Sequence, residues 1–352
     1  MAPHREVVAL GTRRLVEEIP MSNATPVSPL AERGRCFLVY NYTALIKITM
    51  ETLSLLRNKE GLLLRNRFEQ QFSQFEKIPF ENTEFEAIDI RPPEQRDDVP
   101  VLFVPGYGKS PRSYKELLFE LFKAGRRVIS MTAPVEDIKL QPYEKGKVPS
   151  AQVIRALAIN HLIGAKEINR VDVVSHSEGC TNATIAERIE PEKFRYFVYI
   201  TPPGVTEKQG WPTIGKRSIQ NLMDINRAIK NETPEIAIKF QHSKDEAKVF
   251  GRKRGAIKAL YESGLLGRFS IADEVRALHN EGHGVVIIAG TGDKMLPMRE
   301  YQRTKEGAAR SVESLGVDGF IQHTGRHASA SVNNKDHGAL AAIMLESLKK
   351  KY

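Results

Sequence analysis

The chain has 352 residues, enough for one large core or two smaller ones. Its 41% hydrophobic content excludes global disorder, and two cysteines, Cys36 and Cys180, exclude a disulfide framework or a four-thiolate zinc site. The net charge of +9 would suit nucleic acid, but acids interleave the basic residues and the densest cluster, "GRKRGAIK" (Gly251 to Lys258), reads as a solvated face, so no nucleic-acid partner is expected.

The first twenty residues, "MAPHREVVALGTRRLVEEIP", have no secretory pattern, because Arg13, Arg14, Glu17 and Glu18 interrupt the apolar run. No stretch is long and apolar enough to span a bilayer; the best, "CFLVYNYTALIKITM", carries Asn41 and Lys47. A cytoplasmic protein with two free thiols is expected. Residues 1–76 form a segment of their own. Pro20, Pro26 and Pro29 give an irregular lead-in. "TALIKITMETLSLLRNKEGLLLRNRFEQQFSQFEK" then predicts a long amphipathic helix with Phe68, Phe72 and Phe75 on one face. That helix either packs on the main domain or lies at a membrane surface or oligomer interface. Peripheral membrane contact therefore stays open, and the oligomeric state is not legible.

Residues 77–204 read differently. "FEAIDIRP", "VPVLFVPG", "RRVISMTAP", "RVDVVSHS" and "FRYFVYITPP" predict strands. Between them "SYKELLFELFKAG", "SAQVIRALAINHLIGA" and "TNATIAERI" predict helices. Fully apolar strands alternating with helices are the pattern of a mostly parallel α/β sheet covered on both faces. The alternation stops over residues 205–281, which read as helices: "KRSIQNLMDINRAIK", "PEIAIKFQHSKDEAKVF", "GAIKALYESGLL" and "IADEVRALHNEG". Residues 282–352 resume with the strands "GVVIIAGTGD" and "VDGFIQHTG" and end in the helix "DHGALAAIMLESLKKK". A helical block after strand 6 of one sheet reads as a cap.

The stretch "RVDVVSHSEGCTNATIAERI" joins a buried strand to a helix through Ser-His-Ser-Glu-Gly. That is the setting of a nucleophile elbow, in which a serine occupies a strained turn between small residues and its hydroxyl stands above the sheet edge. Ser177 takes that position, with Ser175 and Gly179 flanking it; the helix start beside it favours developing negative charge. A plain strand-to-helix loop with a serine N-cap is the competing reading. "GYGKS" (Gly106 to Ser110) is no phosphate loop, since Phe103 stands where its first glycine belongs.

Together these features resemble the α/β-hydrolase superfamily, esterase- and lipase-like, over roughly residues 80–352. "VLFVPGYGKS" is similar to the family's strand-3 loop, with Pro105 in place of the usual histidine. The resemblance implies an oxyanion hole built from the backbone N–H groups of Tyr107 and Glu178. "GVVIIAGTGDKMLP" is similar to the family's strand-7 end and makes Asp293 the triad acid, with Glu207 a distant second choice. The family's histidine follows the last strand, a spacing that His327 fits. His337, in "KDHGALAAI", resembles the His-Gly-x-Leu of some lipases and remains the alternative. His323 falls inside the last strand, and His176 reads as structural. His4, His161, His242, His279 and His283 belong to no constellation, and no cluster has metal-ligand spacing.

The resemblance implies a serine hydrolase that cleaves a small-molecule carboxylic ester through an acyl-enzyme, without a cofactor. Thioester or amide cleavage on the same triad is an alternative, as is a non-catalytic binding protein of the same fold.

Overall fold

The computed structural model describes residues 59–134, 150–205, 211–231, 233–255, 262, 270–297, 301, 315–323 and 334–352. The irregular lead-in, Cys36, and most of "GAIKALYESGLL" lie outside these residues. Within them, no helix is long and apolar enough to cross a membrane.

Eight strands form one sheet: β1 (Glu76–Phe80), β2 (Thr83–Ile90), β3 (Val101–Val104), β4 (Val128–Met131), β5 (Val171–His176), β6 (Phe194–Ile200), β7 (Gly284–Gly290) and β8 (Gly319–His323). Their order is β1-β2-β4-β3-β5-β6-β7-β8. The first two pairings, β1 with β2 and β2 with β4, are antiparallel, and the rest are parallel. The parallel strands are buried along almost their whole length, as their continuous apolar runs require.

Side chains alternate across the sheet. Leu102, Val173, Phe197, Tyr199 and Ile287 enter one apolar layer, under helices α3 (Ser150–Ala165), α4 (Glu178–Ile189) and α7 (Ala272–Asn280). Phe103, Val174, Val198, Ile288 and Ile321 enter the other, under α1 (Lys59–Phe72), α2 (Lys115–Lys123) and α8 (Lys335–Lys351). Two long helices, α5 (Trp211–Asn231) and α6 (Pro234–Arg254), pack on each other between β6 and β7 in sequence.

The helix expected to run to Lys77 stops at Phe72. Ser73 turns its hydroxyl back onto the Gln70 carbonyl (2.8 Å), and the chain enters β1 at Glu76. Phe68 is fully buried, with its ring 5.5 Å from that of Phe122, so the described part of this helix packs on the sheet domain. "TNATIAERI" also extends further than expected, since α4 begins at Glu178.

At the N-terminal end of β5, Asp172 is completely buried and anchors a charge cluster. Arg195 donates two hydrogen bonds to it, Nε to Oδ1 and Nη2 to Oδ2, both at 2.7 Å. Arg126, 1% exposed, donates to Oδ2 as well. Asp97 and Lys349 of α8 join through Arg195 (2.9 Å) and a 3.0 Å ion pair. Removing one partner from a buried, hydrogen-bonded charge cluster is strongly destabilising. Asp172→Ala is therefore expected to cost about 3–5 kcal/mol in urea unfolding, where a surface carboxylate loss would cost under about 1 kcal/mol.

Candidate functional site

The parallel strands β3, β5, β6, β7 and β8 end at Val104, His176, Ile200, Gly290 and His323, and all five C-termini lie on one edge. Ligands of open α/β sheets gather at that edge. Ser177 is the residue between the end of β5 and the start of α4. Its φ of 52° and ψ of −125° fall in a region that L-residues rarely enter. Its N–H donates to the Ile200 carbonyl of β6 (2.9 Å), and its own carbonyl accepts from Cys180 N–H (3.0 Å).

Two glycines make this turn fit. A Cβ at Gly179 would lie 2.3 Å from the Val104 carbonyl oxygen, so only glycine lets α4 begin this close to β3. A Cβ at Gly106 would lie 3.2 Å from Ser177 Cβ, which puts the β3 loop directly beside the serine. The loop is pinned by Tyr114, whose hydroxyl accepts from Gly106 N–H (3.1 Å) and lies 2.8 Å from His176 Nδ1. Burial pushes the Tyr114 phenol far up, so it keeps an O–H to donate to His176. His176 is thus held within the turn, as expected of a structural residue.

Tyr107 follows Gly106 in the loop, and Glu178 opens α4. The Glu178 N–H is one of the helix-start donors with no acceptor inside the helix. Asp293 lies three residues past β7 and is 2% exposed. One of its oxygens, Oδ1, accepts N–H bonds from Met295 and Leu296, each at 2.8 Å, which orients the carboxylate. Two inter-strand spacings separate β5 from β7, or about 10 Å. Ser177 and Asp293 therefore stand on the same edge of the sheet, two strands apart.

The histidines divide sharply. His327 and Glu207 lie outside the described residues. His337, in the first turn of α8, is buried beneath β8 and meets His323 at an Nε2–Nε2 distance of 2.9 Å, the rings at 88°. Burial pushes His323 down to about 4, against the pull of the nearby Asp293 charge. Burial and the neighbouring His323 push His337 well below the ordinary value. One Nε2 must donate and the other accept, so each imidazole spends that nitrogen on the other.

Helix α6 lies over the β3 loop. Lys109 Nζ donates to the Ser243 carbonyl (2.6 Å), Ser110 Oγ donates to Glu246 (2.7 Å), and the Phe250 ring packs edge-on at 4.8 Å from the Tyr107 ring. A cavity of about 480 Å³ opens between α6 and the ends of β3 and β4. Its walls include Thr132, Ala133, Val249, Phe250 and Glu178; Ser177 is not among its described wall residues.

Sequence reasoning missed Gln152 and Arg155. Both are buried on α3 and both reach the Glu178 carboxylate. Their signal was two long polar side chains three residues apart in an otherwise apolar helix. It also missed a group of Glu187, Glu281 and His283, whose ligand atoms lie within 4.8 Å of one another. Arg188 already donates to both Glu281 oxygens there, at 2.8 and 3.0 Å, and supplies the positive charge.

No protein-family model matches the sequence, and no curated protein matches it. Solved structures do. A membrane phospholipase A described as a bacterial virulence factor aligns at 11% identity over 88% of this chain and 98% of its own, with a TM-score of 0.58. A thermophilic esterase from Thermogutta terrifontis aligns at 16% identity over 78% and 99% of the two chains, with a TM-score of 0.54. An α/β-hydrolase enzyme from a Medee basin deep-sea metagenome library gives 12%, 77%, 97% and 0.53. The chain has the α/β-hydrolase fold.

Two outcomes follow from this geometry. Ser177→Gly should raise stability by about 1 kcal/mol in chemical denaturation, because glycine relieves a strain of about 1–3 kcal/mol and offsets part of that gain by its extra chain entropy. Acid should weaken the fold through the histidine pair. The unfolded His323 binds its proton at about 6.5 and the folded one at about 4, so its contribution is complete above about pH 6.5 and is lost as pH falls through about 4. Urea unfolding at pH 5 should show a loss of about 2 kcal/mol from this group relative to pH 7, and His323→Gln should flatten that slope.

Proposed function

We propose that the chain is a serine hydrolase acting on a small-molecule carboxylic ester. The observation that carries the reading is the backbone of Ser177: a positive-φ serine on a one-residue turn between a buried strand and a helix start. Backbone strain of this kind at a serine on the sheet edge supports a nucleophile there.

In this reading Ser177 Oγ attacks the ester carbonyl and gives its proton to the base, His327. The carbonyl π electrons move onto oxygen, and the oxyanion is held by the N–H groups of Tyr107 and Glu178. Collapse breaks the bond to the alcohol oxygen, which takes the proton from the histidine and leaves an acyl-enzyme. Water then attacks the acyl carbon, its proton passes to the same histidine, and Ser177 departs with that proton. Asp293 holds the histidine's tautomer and stabilises its imidazolium. Helices α5 and α6 act as a cap whose contact with the β3 loop shapes the entrance for the substrate.

His327 is preferred over His337 as base because a base must exchange its proton near neutral pH with a free nitrogen facing the serine. His337 has its Nε2 committed to His323 and its affinity for protons suppressed.

Ser177→Ala should abolish p-nitrophenyl ester turnover and fluorophosphonate labelling, a loss of at least about 10³-fold with the fold intact. His327→Ala should lose turnover to a similar extent, whereas His337→Ala should mainly lower the melting temperature. The kcat/KM profile should rise with a limb near about pH 6.5. Labelling that persists in Ser177→Ala, or activity lost only in His337→Ala, would overturn the assignment. A parallel panel of thioesters and amides reads the bond preference.

A further inference from the structure

We infer that Arg155 is a positioning residue for the oxyanion site, tying the side chains of Tyr107 and Glu178 to each other and to the inserted helical segment through Glu262; this rests on the serine-hydrolase reading above.

The tie is built from three parts of the chain. Glu178 follows Ser177 and is 2% exposed, yet its carboxylate turns back onto α3, where Gln152 Nε2 donates to Oε1 at 2.8 Å and Arg155 Nη1 donates to the same oxygen. The second amino group of that guanidinium, Nη2, donates to Glu262 Oε2 at 3.3 Å. Tyr107 donates its hydroxyl to that same Glu262 oxygen at 3.4 Å. The Arg155 guanidinium also lies 5.4 Å from the centre of the Tyr107 ring. A planar fork with one prong on each carboxylate fixes the distance between them.

Such a cluster is not the cheapest way to fill this space. It buries the two carboxylates around one guanidinium. Burial raises the Glu178 carboxyl, Arg155 and Gln152 lower it, and Glu262 raises it again. Packed apolar residues would often stabilise as well or better. What the charges provide is direction: they constrain the side chains of the two residues whose backbone N–H groups would hold the oxyanion. The benefit of an oxyanion donor depends on its being fixed before charge develops. Glu262 adds a second consequence. It belongs to the segment between β6 and β7, so the inserted helices contribute directly to the geometry of the hole.

The test uses the full chain with a p-nitrophenyl ester and a trifluoromethyl ketone as transition-state analogue. Arg155→Met should lower kcat about 10- to 100-fold with KM within about threefold, and analogue affinity should fall in parallel with kcat. Arg155→Lys should recover only part of the loss, because an ammonium cannot fork between two carboxylates. Glu262→Gln, which changes one atom and preserves packing, should lower kcat several-fold with the same parallel loss of analogue affinity. It keeps the idea exposed if Arg155→Met does not fold. An unchanged kcat in Glu262→Gln, or a loss in either variant that falls on KM alone, overturns the inference. Peptide mass analysis of the fluorophosphonate adduct separates the two levels. An adduct on Ser177 with no kcat effect in the variants removes the positioning role alone. No adduct on Ser177 removes the hydrolase reading and this inference with it.

Discussion

The approach of α4 to β3 is the constraint on which the rest of the site depends. Position 179 has no room for even a methyl group: a Cβ there would be 2.3 Å from one carbonyl oxygen and 2.6 Å from the next. A helix that starts so close to its strand leaves a single residue in which to reverse the chain. Ser177 is that residue, and its positive φ follows from the short turn. The strain, about 1–3 kcal/mol, is held in place by neighbours on both sides. Ile200 of β6 takes the serine's N–H, and the Gly106 loop of β3 closes against its Cβ. Buried parallel strands make such an over-determined turn affordable, since none of them can shift alone.

Strand β5 therefore carries a demand at each end. At its start, Asp172 gathers Arg126 and Arg195 and, through Asp97, reaches Lys349 of the last helix. At its end, Glu178 gathers Gln152 and Arg155 and, through Glu262, reaches the inserted helices. The carboxylates at the centre of both clusters are buried. A buried charge cluster offers little net stability and much geometric specificity where its geometry is complete. The first cluster ties helix α8 to the sheet. The second stands beside the serine, where geometry rather than stability is at stake.

The alternating strands and helices from β2 onward were legible because their apolar runs and helical periodicities agree with the fold. Ser177 was legible for the same reason, since strand, small residues and helix meet there. The hairpin before it was not. Phe68, Phe72 and Phe75 continue a helical spacing across a real boundary, and Pro79 argues against a strand. The proline is tolerated because β1 is the sheet edge. The turn gives no cue either: Glu81 takes a positive φ at a place where hairpins of this kind use glycine. The partners of Glu178 were hidden for a different reason. A polar pair in a helix signals a buried demand, but not which residue some twenty positions later will meet it.

The last helix shows what surrounds the second candidate histidine. "KDHGAL" has the local pattern of a catalytic histidine, but local pattern does not decide which face of the sheet a residue reaches. Gly338 packs its backbone against Leu117, where a Cβ would be 2.6 Å from the carbonyl oxygen, and Asn334 accepts from Leu117 N–H and donates to the Ser113 carbonyl. These contacts bind the start of α8 to α2, on the layer that also receives Ile321 of β8. His337 is carried beneath the sheet with them, onto His323. The strand before it ends close to Asp293. His323 pairs with Gly290 at the end of β7, so the chain leaves β8 beside the turn that holds Asp293. Three inter-strand spacings, about 14 Å, separate β8 from β5.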